Sequence, residues 1–252
     1  MMGPIRLVSG FALTCLVATA HPLAAGSPQH GQPSIVQRFL ARAEEPPVEY
    51  RALRRLEAQN AKFNQQAWML AWTEYDHVNG FRYHIVDEGG SSYIRTKVLR
   101  AALDGEQKIW ADREPQKASL TVDNYLFDDG SVAPDGLASV GVKPKRKDVL
   151  LVEGAIFVQP GDGELSRIEG KLSKTPSFWT RRVDVVRRYE RKAGVRVPVA
   201  IESVAHVLIA GRSTFKMTYE YQTINGQHVG DPEVRRSKSE VGSRHQPSAI
   251  SH

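Results

Sequence analysis

A run of basic residues in the C-terminal third gives the chain its strongest chemical character. Residues 181–196 hold only two carboxylates against seven cations, Arg181, Arg182, Arg187, Arg188, Arg191, Lys192 and Arg196. Because arginine binds phosphate and carboxylate groups bidentately, Arg181, Arg187 and Arg188 are predicted contacts for an anionic head group or a partner protein. The alternative is a solvated strand face whose charges pair with one another.

A second set of residues is aromatic or sulfur-containing and follows a period of two. Alternation over 213–224 places four of them on one face of a strand and polar residues on the other. The full set predicted to line a cavity for an apolar ligand is Phe157, Trp179, Phe215, Met217, Tyr219 and Tyr221. Methionine and aromatic side chains suit a lining that must fit irregular chains, although they also form ordinary sheet cores.

The motifs of common enzymes do not occur in the sequence. There is no Gly-x-Ser-x-Gly, no His-Glu-x-x-His, no phosphate loop and no Gly-x-Gly-x-x-Gly. The single cysteine excludes a disulfide framework, a cysteine-based zinc site and an iron–sulfur site. Glu153, Glu164 and Glu169 could pair for glycoside chemistry, but solvated strand faces suit them better. We therefore expect no enzyme, no metal and no cofactor.

Composition and the two ends of the chain indicate a secreted globular protein. The 252 residues are 41% hydrophobic and 25% charged, with a formal net charge of +6. Residues 1–25 have one early arginine, an apolar stretch and a cluster of small residues, which is typical of a signal peptide. Residues 26–47 are predicted to be a linker with a short helix at 35–43, and residues 231–252 a disordered tail. The expected location is the periplasm.

The remaining domain, residues 48–230, is predicted to combine helices with many antiparallel strands. Leu53, Leu56 and Phe63 at helical spacing predict a helix over 48–67. Beyond it, β-branched and aromatic residues alternate between turn signals. The predicted strands are 69–78, 81–87, 92–103, 106–111, 119–126, 137–143, 148–159, 164–174, 178–191, 195–208 and 213–224. The expected fold class is α+β, mainly antiparallel β, with a strongly curved half-open barrel of about eleven strands wrapped around N-terminal helices.

This plan resembles the LolA/LolB-like superfamily of periplasmic lipoprotein carriers. The run AIFVQPGDGELSRIEGKL (155–172) looks like its central hairpin, with a strand ending in proline, a glycine-rich turn and a return strand carrying Arg-x-x-Gly. The runs SFWTRRVDVVRRYERKAGVRVPVAIES and STFKMTYEYQTING are similar to later strands of uncharacterised proteins in this group. The resemblance covers about 48–230. It implies a half-open barrel that holds an acyl chain, a lipoprotein or another apolar ligand.

The sequence thus predicts a periplasmic, monomeric binding protein for a lipid or a lipoprotein acyl chain. Burying each methylene group of such a chain contributes about 0.8 kcal/mol. The first alternative is an envelope regulator or scaffold that binds a membrane-protein partner through the basic strand region. The second is a secreted hydrolase, which would need a cleft with convergent polar groups. Nucleic acid is not an expected partner, because no RNA- or DNA-binding motif occurs.

Overall fold

The computed structural model describes residues 34–42, 46–112 and 115–230. All of these residues belong to one compact unit. The predicted signal peptide and the predicted tail lie outside the described residues. Within the described part, no helix is both long and apolar enough to cross a membrane.

Twelve strands form one antiparallel sheet in the described part of the chain. They are β1 Glu49–Asn60, β2 Gln65–Asp76, β3 Gly80–Gly90, β4 Tyr125–Phe127, β5 Ser131–Val132, β6 Ala138–Pro144, β7 Val152–Val158, β8 Leu165–Leu172, β9 Thr180–Lys192, β10 Val195–Val207, β11 Gly211–Ile224 and β12 Gln227–His228. Their order across the sheet is β3-β2-β1-β11-β10-β9-β8-β7-β6-β4, with β5 on β6 and β12 on β11. The sheet is open, because the two strands at its ends, β3 and β4, do not pair with each other.

One face of the sheet, here called the inner face, carries two hydrophobic clusters. Alternation puts every second residue of a strand on this face. The first cluster spans β1, β2, β3 and β11 and includes Leu56, Met69 and Met217. The second spans β6, β7 and β8 and includes Val140 and Ile156. The predicted alternation over 213–224 is confirmed, because Met217, like the two tyrosines after it, is buried.

Two helical pieces lie against the inner face. Helix α1 (Ile35–Ala41) begins with a capping box between Ser34 and Gln37 and adds Phe39 to the second cluster. This confirms the short helix predicted at 35–43. The other piece, the helical segment 92–111, consists of α2 (Ser92–Ile94), a π-helical turn (Arg95–Arg100) and α3 (Ala101–Ala111). A short 3₁₀ helix, Pro115–Ala118, follows.

The helix predicted over 48–67 is wrong, because this stretch forms β1 and the start of β2. Burial in β1 alternates strictly, so its period is two. The pattern is hard to see in the sequence since the inner positions include Arg54 and Asn60, which read as surface residues. Phe63, which supplied part of the helical spacing, lies exposed in the β1–β2 turn.

The strands predicted at 92–103 and 106–111 are also wrong, because both lie in the helical segment 92–111. Its buried residues are Ile94, Leu99 and Leu103, which sit at helical spacing. The predicted strand 119–126 is reduced to the three residues of β4. The main cover of the sheet therefore follows β3 in the chain and is not N-terminal.

A buried ion pair ties the helical segment to the sheet. Arg54 of β1 is 1% exposed, and its two terminal nitrogens donate to the carboxylate of Glu106 in α3 at 2.5 and 2.9 Å. It also donates to the hydroxyl of Tyr50 at 2.8 Å. The guanidinium lies 4.5 Å from the ring centroid of Tyr219 and 5.1 Å from that of Phe81. These contacts offset the cost of burying a charge at the centre of an apolar cluster, and only the Nε atom of Arg54 is buried without a hydrogen-bond partner in its guanidinium.

The sheet has a glycine crossing in its second half. Gly154 of β7 pairs with Gly170 of β8. A β-carbon at Gly154 would lie 2.6 Å from the α-carbon of Gly170 and still closer to the carbonyl oxygen of Glu169. Only a residue without a side chain allows the two strands to approach in this way. The glycines thus permit local bending of β7 and β8.

We expect Glu106→Gln to lower the free energy of unfolding by about 2 kcal/mol, because it leaves the buried Arg54 without a counter-charge. The value lies below that of a fully buried pair since the Glu106 side chain is 27% exposed. Glu57→Gln is the matched control, because Glu57 pairs with Arg55 on the exposed face of β1. It should change stability by about 0.5 kcal/mol or less. Equal urea midpoints for both variants would contradict this assignment.

Gly154→Ala should destabilise the fold by about 2 kcal/mol, because the added methyl group overlaps the backbone of β8. Gly161→Ala is the control, since a β-carbon at Gly161, in the β7–β8 turn, meets nothing within 4 Å. The control should stay within about 0.5 kcal/mol of the parent protein. Thermal or urea unfolding monitored by circular dichroism measures both, and an unchanged Gly154→Ala midpoint would refute the close crossing.

Candidate functional site

Three residues of the predicted apolar lining lie together inside the first cluster. Met217, Tyr219 and Tyr221 are all buried. The two tyrosine rings stack with their centroids 6.0 Å apart. Burial raises the pKa of both tyrosine hydroxyls far above the usual value. Side chains of β1 and the helical segment pack against these residues, so they form part of a filled core here.

The other three residues of that set are placed differently. Phe215 shares the inner face with Met217 and packs at the margin of the first cluster. Phe157 is on the opposite, outer face, where the guanidinium of Arg167 lies 3.8 Å from its ring centroid. Trp179 is in the β8–β9 loop and is 54% exposed. The predicted lining is therefore not one surface, and any ligand role of these residues stays a prediction.

The basic run is likewise divided between the two faces of β9. Arg187 shares the inner face with Val183 and Val185, which are buried. Its Nε atom is buried without a hydrogen-bond partner in the described structure. Burial is the main cause that raises the pKa of Tyr125 in the second cluster, and the positive charge of Arg187 opposes this rise.

The outer face of β9 carries paired charges. Arg188 lies 3.0 Å from Glu202 of β10, and Arg182 lies 2.6 Å from Asp184. Arg181 sits at the irregularity where the register of β9 and β10 shifts, and it is exposed. Arg181, Arg187 and Arg188 therefore do not converge on one ligand. The solvated face with paired charges describes the outer residues of this run.

A cavity of about 890 Å³ lies on the outer face, at the second half of the sheet. Its walls come from β4 and β6 to β10. Apolar contributions include Leu126, Val186 and Val204, and three glycines lie among them, Gly141, Gly154 and Gly170. Its volume lies within the range of 300–1,000 Å³ that is typical of sites for small ligands.

The cavity exists because this part of the sheet curls. In the sheet order, β4 and β10 are five strand positions apart. In a flat sheet they would be separated by about 24 Å. Leu126, beside β6, and Glu202 of β10 nevertheless line the same cavity. The sheet is therefore curved enough for strands five positions apart to line one cavity.

Charged side chains surround the apolar part of this cavity and mostly neutralise one another. Lys171 lies 3.7 Å from Glu153, and Asp184 pairs with Arg182. Asp128 accepts a hydrogen bond from the backbone of Gly141 at 2.7 Å. Lys143 is exposed and makes no ion pair with a described residue. It is thus the cation at this rim available to a ligand.

A second cavity, of about 570 Å³, lies on the first half of the outer face. Trp68 and Lys216 contribute to it, and the two cavities share the stretch Glu202–Val204 of β10. The concave outer surface therefore extends from β2 to β4, with β10 as the common wall.

The three glutamates considered for glycoside chemistry are each held in ion pairs. Glu153 pairs with Lys171, and Glu169 lies 2.5 Å from Arg167. Glu164 contacts Arg42 at 2.7 Å and Arg191 at 2.6 Å. The described residues also contain no group of three or more side chains suited to a metal ion.

Sequence reasoning missed the outer-face cavity and the residues that line it. Val186 and Val204 read as ordinary strand residues. The available signal was the occurrence of Gly141, Gly154 and Gly170 within strand patterns, since glycine in a strand often marks a bend or a close approach. No single glycine indicates that six strands curl around one space.

Comparison with known proteins gives one weak structural likeness. No family model and no curated protein matches the chain. A crystal structure of a domain assigned by its description to outer membrane lipoprotein sorting, from Vibrio parahaemolyticus, matches with 10% identity and a TM-score of 0.36. The match covers 82% of this chain and 96% of that one. Its description names the class of protein that the 155–172 hairpin resembles, but a likeness this weak says nothing about what the present protein binds.

Proposed function

We propose that this protein is a periplasmic binding protein that holds the acyl chain of a lipid or lipoprotein in the cavity on the outer face of its sheet. The observation that carries the proposal is the cavity itself, about 890 Å³ with apolar side chains and glycines in its walls. This site replaces the predicted one between sheet and helices, where side chains fill the first cluster.

The energetic basis is removal of the acyl chain from water. Each buried methylene group contributes about 0.8 kcal/mol, so a chain with eight of them covered gains about 6 kcal/mol before ordering costs. Leu126, Val186 and Val204 supply the apolar contacts.

The head group of the ligand would lie at the rim of the cavity. Lys143 lines the cavity and is exposed, without an ion pair to a described residue. An anionic group on the ligand can approach this ammonium without breaking an existing pair. The other lining cations have carboxylate neighbours, which favours an amphipathic ligand of low net charge.

The proposed location rests on the sequence pattern of residues 1–25, and the absence of catalytic motifs favours binding over catalysis. The regulator alternative needs a surface of excess positive charge on β9. Glu202 and Asp184 neutralise Arg188 and Arg182 on its outer face. The contacts of β9 therefore favour the binding role.

Val186→Lys tests the cavity, because it adds a long charged side chain to the apolar wall, beside Glu202. We expect at least tenfold weaker binding of a fluorescent fatty acid, measured by titration. Mass spectrometry of the purified parent protein should also detect co-purified lipid. Thr218→Lys is the matched control, since Thr218 lies on the same face of the sheet but is not part of either cavity wall. It should bind like the parent.

Arg187→Gln distinguishes the two faces of the sheet, because Arg187 lies on the inner face. Unchanged probe binding in this variant is expected for a site on the outer face. If Arg187→Gln abolishes binding while Val186→Lys preserves it, the ligand occupies the inner face and the proposed site is wrong. If the parent protein neither carries lipid nor binds the probe, the proposed function fails.

A further inference from the structure

Four connecting segments lie on one side of the sheet, at the ends of the strands; here edge means this row of strand ends and not an outermost strand. Because neighbouring strands are antiparallel, the β1–β2, β6–β7, β8–β9 and β10–β11 connections all lie at the same ends of their strands. With the adjoining strand residues they comprise 61–64, 145–151, 173–181 and 208–212, here called the basic loop edge. Residues far apart in the chain thus form one surface.

Hydrogen bonds join three of these connections. The backbone N–H of Leu208 donates to the carbonyl of Trp179 at 2.9 Å. The ammonium of Lys62 donates to the carbonyl of Ile209 at 2.7 Å, and the amide of Asn60 donates to that of Ala210 at 2.8 Å. The β8–β9, β10–β11 and β1–β2 connections therefore hold a fixed arrangement.

Large apolar side chains at this edge point into solvent. Phe178 is 87% exposed, Ile209 61% and Trp179 54%, and Phe63 and Leu208 are exposed beside them. The rings of Phe178 and Trp179 meet edge to face, with centroids 5.5 Å apart. Single exposed apolar residues are common in soluble proteins, but a contiguous group on joined loops is typical of an interaction site.

Cations surround this apolar group. The basic loop edge has one carboxylate, Asp148, and seven cations, Lys62, Lys145, Arg146, Lys147, Lys174, Arg181 and Arg212. Asp148 lies 3.5 Å from Arg146, and the other six cations form no ion pair with any residue in the described ranges. The edge therefore carries a net positive charge that its own side chains do not neutralise.

The opposite ends of the strands form a second edge, which has neither an excess of positive charge nor a group of exposed apolar side chains. Its turns, 77–79, 159–164, 193–194 and 225–226, contain no lysine, arginine, phenylalanine, tyrosine or tryptophan. Lys192, which adjoins the third of these turns, pairs with Glu190 at 2.8 Å. Their carboxylates, Asp162 and Glu164, are paired with Arg42. One exposed valine, Val78, is the large apolar residue of these turns. The two edges thus differ in both charge and apolar character.

We propose that the basic loop edge docks the protein on the surface of an anionic phospholipid bilayer, with Phe178 and Trp179 at the level of the headgroups. Tryptophan and phenylalanine favour this interfacial layer, and nearby lysine and arginine are attracted to anionic lipids. A protein partner fits less well, because lysine is depleted in the buried centres of protein interfaces. The docking does not depend on the proposed ligand cavity.

Sedimentation of the full mature chain with vesicles tests this docking. We expect binding to vesicles of phosphatidylglycerol and phosphatidylcholine, weakening with salt, and little binding to phosphatidylcholine alone. The double variant Phe178→Ser with Trp179→Ser should bind at least tenfold more weakly. So should Lys174→Glu with Arg181→Glu, since each reversal replaces attraction to the surface by repulsion.

Matched controls use exposed residues away from this edge. Val78→Ser removes an exposed apolar side chain at the opposite edge, and Lys108→Glu reverses an exposed charge on α3. Both should bind vesicles like the parent. All of these variants change exposed side chains, and unchanged circular dichroism checks that each folds.

The fluorescence of Trp179 can locate the contact, because this tryptophan, one of four in the chain, lies at the basic loop edge. Brominated phosphatidylglycerol should quench the tryptophan fluorescence of the parent protein. It should quench that of Trp179→Phe much less, although this variant still binds the vesicles.

Several results would overturn the docking. These are absence of vesicle binding, equal binding to neutral vesicles, or retained binding in both double variants. Loss of a concentration-dependent dimer in Phe178→Ser with Trp179→Ser would instead assign the surface to a second copy of the chain. Because Val186→Lys should still bind vesicles, failure of the ligand proposal and failure of the docking are separable.

Discussion

A positive charge at the centre of an apolar face is the constraint on which the first half of the fold depends. Arg54 is buried between the rings of Phe81 and Tyr219, where an isolated guanidinium would be costly. Burial alone would lower its pKa, but the charge of Glu106 and contacts with nearby tyrosines raise the pKa well above the usual value. The arginine therefore stays charged, and the helical segment 92–111 must remain in place to supply Glu106.

In the second half of the sheet, the close approach of two strand backbones is the main constraint. Gly154 and Gly170 let β7 and β8 approach closely, and the strands on either side curl around a space on the outer face. Side chains fill the first cluster on the inner face, whereas the outer face keeps an open cavity. This division explains why the candidate ligand site lies away from the helices.

Charge is distributed unevenly between the faces and the edges of the sheet. On the outer face, cations and carboxylates alternate and pair, as Arg188 does with Glu202. At the basic loop edge, cations gather around Phe178 and Trp179 with one carboxylate among them. The cavity and this edge share neighbouring strand ends, so a ligand in the cavity would lie close to a docked surface.

The sequence by itself determined most of β2 and β3, the strands from β6 to β11, helix α1 and the alternation that buries Met217 in β11. These elements follow from local period and turn residues, which need no distant partner. It misassigned β1 because Arg54 occupies a core position that only Glu106, 52 residues later, makes possible. It also misassigned the helical segment 92–111. The helical spacing of its core residues becomes visible only once the structure shows which of its apolar residues are buried.

Only the tertiary structure decided the cavity and the basic loop edge. Both are built from residues of separate strands and turns, brought together by the order and curvature of the sheet. Alternation along β9 places Arg187 and Arg188 on opposite faces, but only strand pairing brings Glu202 of β10 next to Arg188. Local patterns specify which way a side chain faces, whereas the partner it meets depends on strand pairing across long separations in the chain.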